Sequence, residues 1–338
     1  MSATNGAAAL QPGPHNPVDA TPRRVPRSMR RTWSTDITFP DGLLGRVVAD
    51  VRGRDLYTDA DGTAEVRDEL AITLGIDPAT GAIGAVDATR ASASVDGLEG
   101  IAVRGGYGRQ LAELFAQDAA RRSLCFSALE DLGGAYLVSG YARLTAGLAG
   151  QNPEHVEAAV QMQANVCAGW AADGPFIAAM REQGSTPVPF GPVAPALEAG
   201  DPLAWHEMPP FVAATVRRRR RIDVTAPADG GNARRAQEHF RDSYADDNGE
   251  TVMHEYLVAA GFAEDDRLAS IDVEARVLPW NECPGAVTSA QQLVGVPLDE
   301  LAARVRRDLH GVTTCTHLNS TMRALADVHA LAVSLTRS

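Results

Sequence analysis

Apolar and polar residues alternate along four stretches in the first third of the chain, a pattern typical of half-buried β-strands. These stretches are 36–39, 47–51, 70–74 and 82–86. Turn sequences rich in Pro, Asp and Gly separate them, at 40–42 and 77–81. Helical spacing then replaces the alternation at 98–115 and 124–148. The pattern predicts strands that form an antiparallel sheet, followed by two helices.

The same order of motifs recurs in the second half of the chain. The matched segments are 30–38 with 217–225, 40–42 with 227–230, 54–59 with 241–246, 86–90 with 271–276, and 124–127 with 314–317. They stay nearly in register over about 110 residues, which indicates an ancient duplication. Two unrelated α+β segments that share turn chemistry are the alternative. The predicted fold class is α+β, with two pseudo-repeats, each a mainly antiparallel sheet followed by two helices, and a helical and loop insert between them.

These patterns predict four regions. Residues 1–22 are polar and rich in Pro and Ala, which predicts a disordered tail. Residues 23–149 form repeat 1 and residues 216–338 form repeat 2. The insert, 150–215, has two segments of helical spacing followed by a Pro/Gly-rich stretch. We interpret this insert as a cover over the site or over a partner subunit.

Composition and charge narrow the class of protein. The apolar share of 45% and the charged share of 22% are typical of a soluble globular protein. The formal net charge of -12 argues against a general nucleic-acid binder. We find no apolar run of the roughly 18 residues that a membrane span needs and no apolar core of signal-peptide type. We therefore expect a cytoplasmic location, with no membrane or nucleic-acid partner.

All 31 basic residues are arginine, and lysine is absent. This excludes Schiff-base aldolases, pyridoxal-phosphate enzymes and the lysine of a phosphate-binding loop. The arginine runs at 23–31 and 217–221 stand at equivalent places in the two repeats. They could bind a phosphate or carboxylate, but we favour intramolecular pairing with the acidic turns at 59–61 and 246–247.

Two segments of repeat 2, 280–285 and 312–319, place chemically active side chains at the ends of predicted strands and helices. Cys283, Cys315 and His317, with Glu282 or His254 as a fourth ligand, offer the ligand types that zinc accepts. Covalent catalysis at Cys315 or Cys283 is a second interpretation, because a thiol at a helix N-terminus can have a lowered pKa. The alternative is a purely structural role, in which both thiols are buried and pack as small apolar side chains.

General acid–base catalysis by His317, with His206 or His254 as partner, is the interpretation we prefer. Both repeats have a cysteine at the Cys315 position, whereas repeat 1 has Ser127 where repeat 2 has His317. The predicted catalytic residues are therefore His317, His206 and Glu282, with no cofactor. The predicted substrate-binding residues are Trp170, Trp205, Trp280, Thr316 and Tyr244.

At Glu282-Cys283-Pro284-Gly285-Ala286, at 293–298 and at Cys315-Thr316-His317-Leu318, the sequence resembles the bacterial domain-of-unknown-function family 2889. The resemblance covers about residues 28–90 and 222–332, and repeat 1 lacks the histidine. The insert looks like that of a longer subgroup, which is linked to γ-formaldehyde lyases of aromatic-dimer catabolism. Such a lyase removes a hydroxymethyl carbon as formaldehyde, leaves a stilbene and needs no Schiff base.

The resemblance implies a cofactor-independent lyase that releases formaldehyde from a small, lignin-derived-dimer-like aromatic substrate by acid–base catalysis. We also expect a homodimer. Two alternatives stay open. One is a metal-dependent hydrolase that uses Cys283, Cys315 and His317. The other is a non-catalytic small-molecule-binding or scaffold protein.

Overall fold

A single antiparallel sheet organises the fold. The computed structural model describes residues 9–91, 95–148, 153–198, 200–225 and 233–335. Within these residues, eight strands follow the order β4-β3-β2-β1-β5-β6-β7-β8. The strands are β1 (Ser28–Thr38), β2 (Val47–Thr58), β3 (Ala64–Ile76), β4 (Ile83–Arg90), β5 (Val216–Thr225), β6 (Arg234–Asp246), β7 (Gly249–Phe262) and β8 (Leu268–Val277). The α+β class is thereby confirmed.

Helices follow each group of four strands. They are α1 (Tyr107–Leu114), α2 (Ala116–Arg121), α3 (Leu124–Val138), α4 (Gly140–Thr145), α5 (Pro153–Gln163), α6 (Pro175–Gln183), α7 (Leu301–Asp308), α8 (Thr316–Ala324) and α9 (Asp327–Leu335). A 3-10 segment, Cys283–Leu293, links β8 to α7. The first helix after β4 begins at Tyr107 rather than at residue 98. Within the described residues, no helix is both long enough and apolar enough to cross a membrane.

The two faces of the sheet are covered differently. Helix α3 packs on β1, β2 and β5, α9 packs on β1 and β5, and α8 packs on β7. Extended chain from the insert covers the opposite face. Arg54 of β2 donates hydrogen bonds to the carbonyl oxygens of Leu203 and Trp205 in this extended chain. Because successive strand residues point to opposite faces, each strand feeds both layers.

The arginine run of β5 shows this alternation in charged residues, all buried. On the helix face, Arg218 pairs with Asp242 and Arg220 pairs with Asp131 of α3. The opposite face carries the three other pairs: Arg217 with Asp36, Arg219 with Glu198 and Glu250, and Arg221 with Asp223. Pairing is thus intramolecular, as predicted, but its partners lie outside the two acidic turns.

The two halves of the sheet repeat one arrangement at their centres. Arg31 of β1 makes a bidentate ion pair with Asp55 of β2. Arg218 of β5 makes an equivalent bidentate pair with Asp242 of β6. A register shift follows each aspartate, in the β2–β3 and β6–β7 pairings. The duplication itself stays a prediction.

The predicted N-terminal tail lies partly along the sheet edge. Residues 1–8 are outside the described residues. The amide of Gly13 donates to the carbonyl of Pro279, and that of Asn16 donates to the carbonyl of Arg276. The Val18 amide donates to the carboxylate of Glu255 at 2.7 Å. Residues 9–22 are therefore held by backbone hydrogen bonds that their Pro- and Ala-rich composition does not reveal.

Candidate metal centre

Three side chains with metal-ligand chemistry converge on the helix face: Asp242 of β6, His254 of β7 and His317 of α8. Their ligand atoms all lie within 4.8 Å of one another. The Oδ2 atom of Asp242 is 3.5 Å from Nδ1 of His254 and 3.6 Å from Nε2 of His317. The two imidazoles stack with ring centroids 3.6 Å apart. The described residues contain one such group of three.

Strand register and the start of a helix create this convergence. Asp242 lies opposite His254 in the β6–β7 ladder, and the register shifts immediately afterwards. Such a bulge re-aims side chains and is common beside functional sites. Helix α8 packs on β7 and starts at Thr316, so that His317 stands in its first turn above the strand pair.

Asp242 is charged and firmly held. Arg218 donates to both of its carboxylate oxygens, at 2.8 and 2.9 Å. Burial works to raise the pKa of Asp242, but Arg218, His254 and His317 outweigh it and hold that pKa well below its usual range. A carboxylate that is already ionised can bind a cation without first losing a proton.

Both histidines are suited to metal binding. Burial, His254 and Arg218 lower the pKa of His317 well below 6.5, against the opposing effect of Asp242, so its ring is neutral at pH 7. The Nδ1 atom of His254 is buried and has no hydrogen-bond partner among the described residues. In a tetrahedral zinc site with bonds of 2.0–2.1 Å, ligand atoms stand about 3.4 Å apart. The two spacings that involve Asp242, 3.5 and 3.6 Å, are close to this value, and the stacked rings would have to turn before both nitrogens could face one ion.

A cavity of about 690 Å³ adjoins the centre and includes His317 and Arg218 in its wall. This volume is within the range of small-molecule sites. Helix α8 supplies one side of the cavity, with Thr316, His317, Asn319, Ser320 and Arg323. Across from it, α3 supplies Gly133, Gly134, Tyr136 and Leu137.

Of the sequence-predicted residues, His317 and Thr316 line this cavity. Cys315 is close, with its Sγ 3.9 Å from Nδ1 of His317, but neither Cys315 nor Cys283 belongs to the group of three ligands. Burial raises the pKa of both thiols, which disfavours the thiolate that zinc binding or nucleophilic attack requires.

His206 lies on the other face of the sheet. Its ring contacts the hydroxyls of Thr32 and Ser34, at 3.0 and 2.9 Å. Between them, Trp33 points the opposite way and donates to Asp131 of α3, on the same face as His317. The structure therefore does not bring His206 to His317.

The other predicted residues lie in packed surroundings. Trp170 and Trp280 flank Phe176 in an aromatic stack, with ring centroids 5.5 and 5.6 Å from it. Trp205 is buried with His206 on the opposite face, and Tyr244 packs edge-on against Tyr141. Glu282 precedes the 3-10 segment, and its Oε2 atom is buried without a hydrogen-bond partner among the described residues.

Asp242 is the ligand that sequence reasoning missed. It appeared only as the counterpart of Asp55, within a motif that the two halves share. The matched segments gave a partial signal, the exchange of Ser127 for His317, and the strand pairing of the structure adds the rest. Asp242 faces His254, whereas Asp55 faces Asp68, and His317 answers Ser127. Only the second half offers two imidazoles beside its aspartate.

Comparison with known proteins bears on this second half. Residues 216–331 match the family model described as Protein of unknown function (DUF2889). The match spans about one third of the chain and runs from β5 into α9, so it includes all three residues of the candidate centre. It confirms the resemblance to DUF2889 for this part of the chain. Neither the curated proteins nor the solved structures gave a match.

Proposed function

We propose that this chain is a metal-dependent carbon–carbon lyase that acts on a small hydroxylated aromatic compound. The observation that carries the proposal is the convergence of Asp242, His254 and His317 beside a cavity of ligand size. Two imidazoles and one carboxylate are a common set for divalent zinc or iron, and three protein ligands leave positions open for substrate.

The absence of lysine limits the chemistry. Cleavage of a carbon–carbon bond needs a sink for an electron pair, and without lysine that sink is the substrate itself or a bound ion rather than a Schiff base. An ion at the centre would supply Lewis acidity and lower the pKa of a hydroxyl group that reaches it. His317, predicted as a base, becomes a ligand in this proposal, and both roles need its neutral ring.

The bond changes balance without an oxidant or a reductant. The substrate is a diaryl compound with a primary alcohol on one carbon and a benzylic hydroxyl para to a phenol on the next. Loss of water gives a quinone methide. Removal of the primary hydroxyl proton then breaks the bond to the hydroxymethyl carbon, which leaves as formaldehyde. The electron pair forms the stilbene double bond and restores the phenolate ring, and the proton removed from the primary hydroxyl passes through solvent to the phenolate oxygen to give the phenol.

Membership of the longer subgroup and a relation to γ-formaldehyde lyases rest on the resemblance, and a cytoplasmic location and homodimeric assembly remain parts of the proposal. Origin of the two halves by duplication is supported by their equivalent Arg–Asp pairs and register shifts. A metal-dependent hydrolase is the second candidate, and the same three ligands favour it, because an open zinc position also activates water.

The experiment measures metal content first and turnover second. Chelator-treated protein would be reloaded with Zn²⁺, Mn²⁺ or anaerobic Fe²⁺, and bound metal would be measured by mass spectrometry. We expect one ion per chain, lost in His254→Ala and in His317→Ala but retained in His310→Ala, which changes an exposed histidine. Equal metal content in all four proteins would refute the centre.

Turnover then separates the candidate functions. The metal-loaded protein would be incubated with 1,2-diaryl-1,3-propanediols that carry a para phenol, and formaldehyde and stilbene would be quantified. Equal amounts of the two products support the lyase. Hydrolysis of aryl esters without formaldehyde release would instead identify the hydrolase.

A further inference from the structure

The cavity has a second charged end, at the far end of α8 from His317. Arg323 of α8 and Arg306 of α7 line the wall there, together with Glu130 of α3. This group lies outside the three metal ligands. In this group, positively charged side chains outnumber the carboxylate that they share.

Glu130 is shared by three arginines. Its Oε2 accepts a hydrogen bond from Arg122 at 2.9 Å, and its Oε1 accepts one from Arg306. The Nε of Arg323 is 3.5 Å from the same Oε1, and Arg323 makes no side-chain hydrogen bond within the part of the chain that the structure describes. Glu130 is therefore close to three guanidinium groups, of which Arg122 is also bonded to Asp327 and Arg323 makes the longest contact.

The electrostatics of Arg323 differ from those of its well-paired neighbours. Burial lowers its pKa, and Arg306 and Arg220 add to this, while Glu130 and Asp131 compensate only in part. Asp131 is already engaged by Arg220, Trp33 and Ser320. Arg323 is 24% exposed, so water reaches the donors that no described residue accepts, and such a guanidinium facing a cavity is suited to an incoming anion.

Helix geometry gives the spacing between the two ends of the cavity. His317 and Arg323 are six positions apart on α8 and line the same cavity. At 1.5 Å per residue the axial separation is about 9 Å. Tyr136 of α3 lines the same cavity and offers a ring for stacking.

We propose that Arg323, assisted by Arg306, binds a carboxylate of the substrate at the end of the cavity away from His317, the two residues being about 9 Å apart along the axis of α8. The substrate class is thus an aromatic acid whose carboxylate and hydroxymethyl group lie at opposite ends. A carboxylate suits the site because its two oxygens match the planar fork of a guanidinium. This inference rests on the proposed function for what happens at the other end of the cavity.

The test uses a probe with a carboxylate but no reacting alcohol. Binding of 4-hydroxycinnamate and of its primary amide to the metal-free and metal-loaded full-length chain would be measured by calorimetry. We expect the acid to bind at least about tenfold more tightly than the amide, and Arg323→Gln to remove that preference. The control is Arg307→Gln, next to Arg306 on α7 but exposed and outside the cavity wall.

The outcomes separate this inference from the proposed function. The carboxylate site at Arg323 is supported if metal-free protein binds the acid, if Arg323→Gln weakens this binding and if Arg307→Gln leaves it unchanged. This holds even where no formaldehyde is released. The opposite result is binding that requires metal, is lost in His317→Ala and is unchanged in Arg323→Gln. It would place the carboxylate at the ion and overturn the proposed site at Arg323. Equal affinity for acid and amide would also overturn it. With an active substrate, Arg323→Gln should raise KM more than it lowers kcat.

Discussion

Asp242 has two tasks that can be separated by comparison with Asp55. Each aspartate is buried and forms a bidentate ion pair with a β-strand arginine. Each of these arginines also lies within 4 Å of a second carboxylate. That second carboxylate is Asp327 for Arg31 and Asp131 for Arg218. Only Asp242 also has imidazoles beside it. The two sites are therefore a matched pair of buried Arg–Asp contacts, and only the second has the side chains of a candidate metal centre.

We expect Asp242→Asn and Asp55→Asn to lower the free energy of unfolding by similar amounts, about 3–5 kcal/mol, because each leaves a buried arginine short of its partner. Only Asp242→Asn should also abolish stoichiometric metal binding. Urea unfolding and metal analysis of both variants make the comparison. Metal retained in Asp242→Asn, or lost equally in Asp55→Asn, would contradict the assignment of Asp242 as a ligand.

Gly134 makes room for the arginine that holds Asp242. A Cβ atom added at Gly134 would lie 1.8 Å from Nη1 of Arg218 and 2.8 Å from its Cζ. Arg218 cannot move aside without weakening its bonds to Asp242, so we expect Gly134→Ala to cost about 1–3 kcal/mol of stability. Gly140→Ala in α4, where a Cβ meets no atom within 4 Å, is the control and should be neutral or stabilising. Thermal unfolding of both proteins decides whether the contact with Arg218 is the cause.

At the scale of elements, α8 joins the metal centre to the core through Ser320. The Ser320 hydroxyl donates to Asp131 at 2.8 Å and accepts from Arg220 at 3.0 Å. These bonds tie the middle of the helix to α3 and β5, and thereby set the position of His317 at its start.

Ser320→Ala should lower the free energy of unfolding by about 0.5–1.5 kcal/mol, the usual contribution of a buried hydrogen bond. Ser334→Ala in α9 is the control, since among the described residues its hydroxyl bonds to the carbonyl of Ala330 in its own helix and to no other element. We expect the control to change stability by less than about 0.5 kcal/mol. Denaturant unfolding checks both values, and an equal loss in the two variants would argue against the role of Ser320 between elements.

The strands were predictable because alternation is a local signal. The four strands of the first half overlap the alternating stretches 36–39, 47–51, 70–74 and 82–86. Residues 98–106 were predicted as helix but are not, and Gly106 adopts a positive φ of 90° immediately before α1. Leu98 and Val103 are buried all the same, so their apolar spacing came from core packing without helix formation.

The site was predictable only in part, for a different reason. His317 was identified from its own motif and His254 as a candidate partner. Asp242 joins them through strand register and the docking of α8, which are long-range features that local spacing does not contain. The buried arginine run is similar, since its partners Asp36 and Asp131 come from β1 and α3. A charge run usually indicates a solvated surface, and here the sheet buries it on both faces.

At the scale of the whole molecule, buried imidazoles should make the fold sensitive to acid. His206 and His239 are both buried under the extended chain that covers the sheet. Burial, with Arg54 and Arg217 nearby, lowers the pKa of His206 to about 3. Burial also lowers the pKa of His239 to about 4, although Glu255 opposes the shift. Both rings are therefore neutral in the folded protein at pH values where the unfolded chain is protonated.

The direction of the pH effect follows from proton counts. Below about pH 6.5 the unfolded chain binds a proton at each of these histidines and the folded chain does not, so acid favours unfolding. The contribution of His206 is fully present above pH 6.5 and is lost as the pH falls toward about 3. Each such histidine adds about 1.4 kcal/mol per pH unit to the slope within its window.

We therefore expect the free energy of unfolding to fall steadily between pH 6 and pH 4, and His206→Gln to reduce that slope by about 1.4 kcal/mol per pH unit. Glutamine keeps polar atoms near Thr32 and Ser34 but does not titrate. Urea unfolding at several pH values measures the slope, with His310→Gln as a control at an exposed histidine. An unchanged slope in His206→Gln would mean that His206 is protonated in the folded protein, and that its hydrogen bonds to the two hydroxyls are those of an imidazolium.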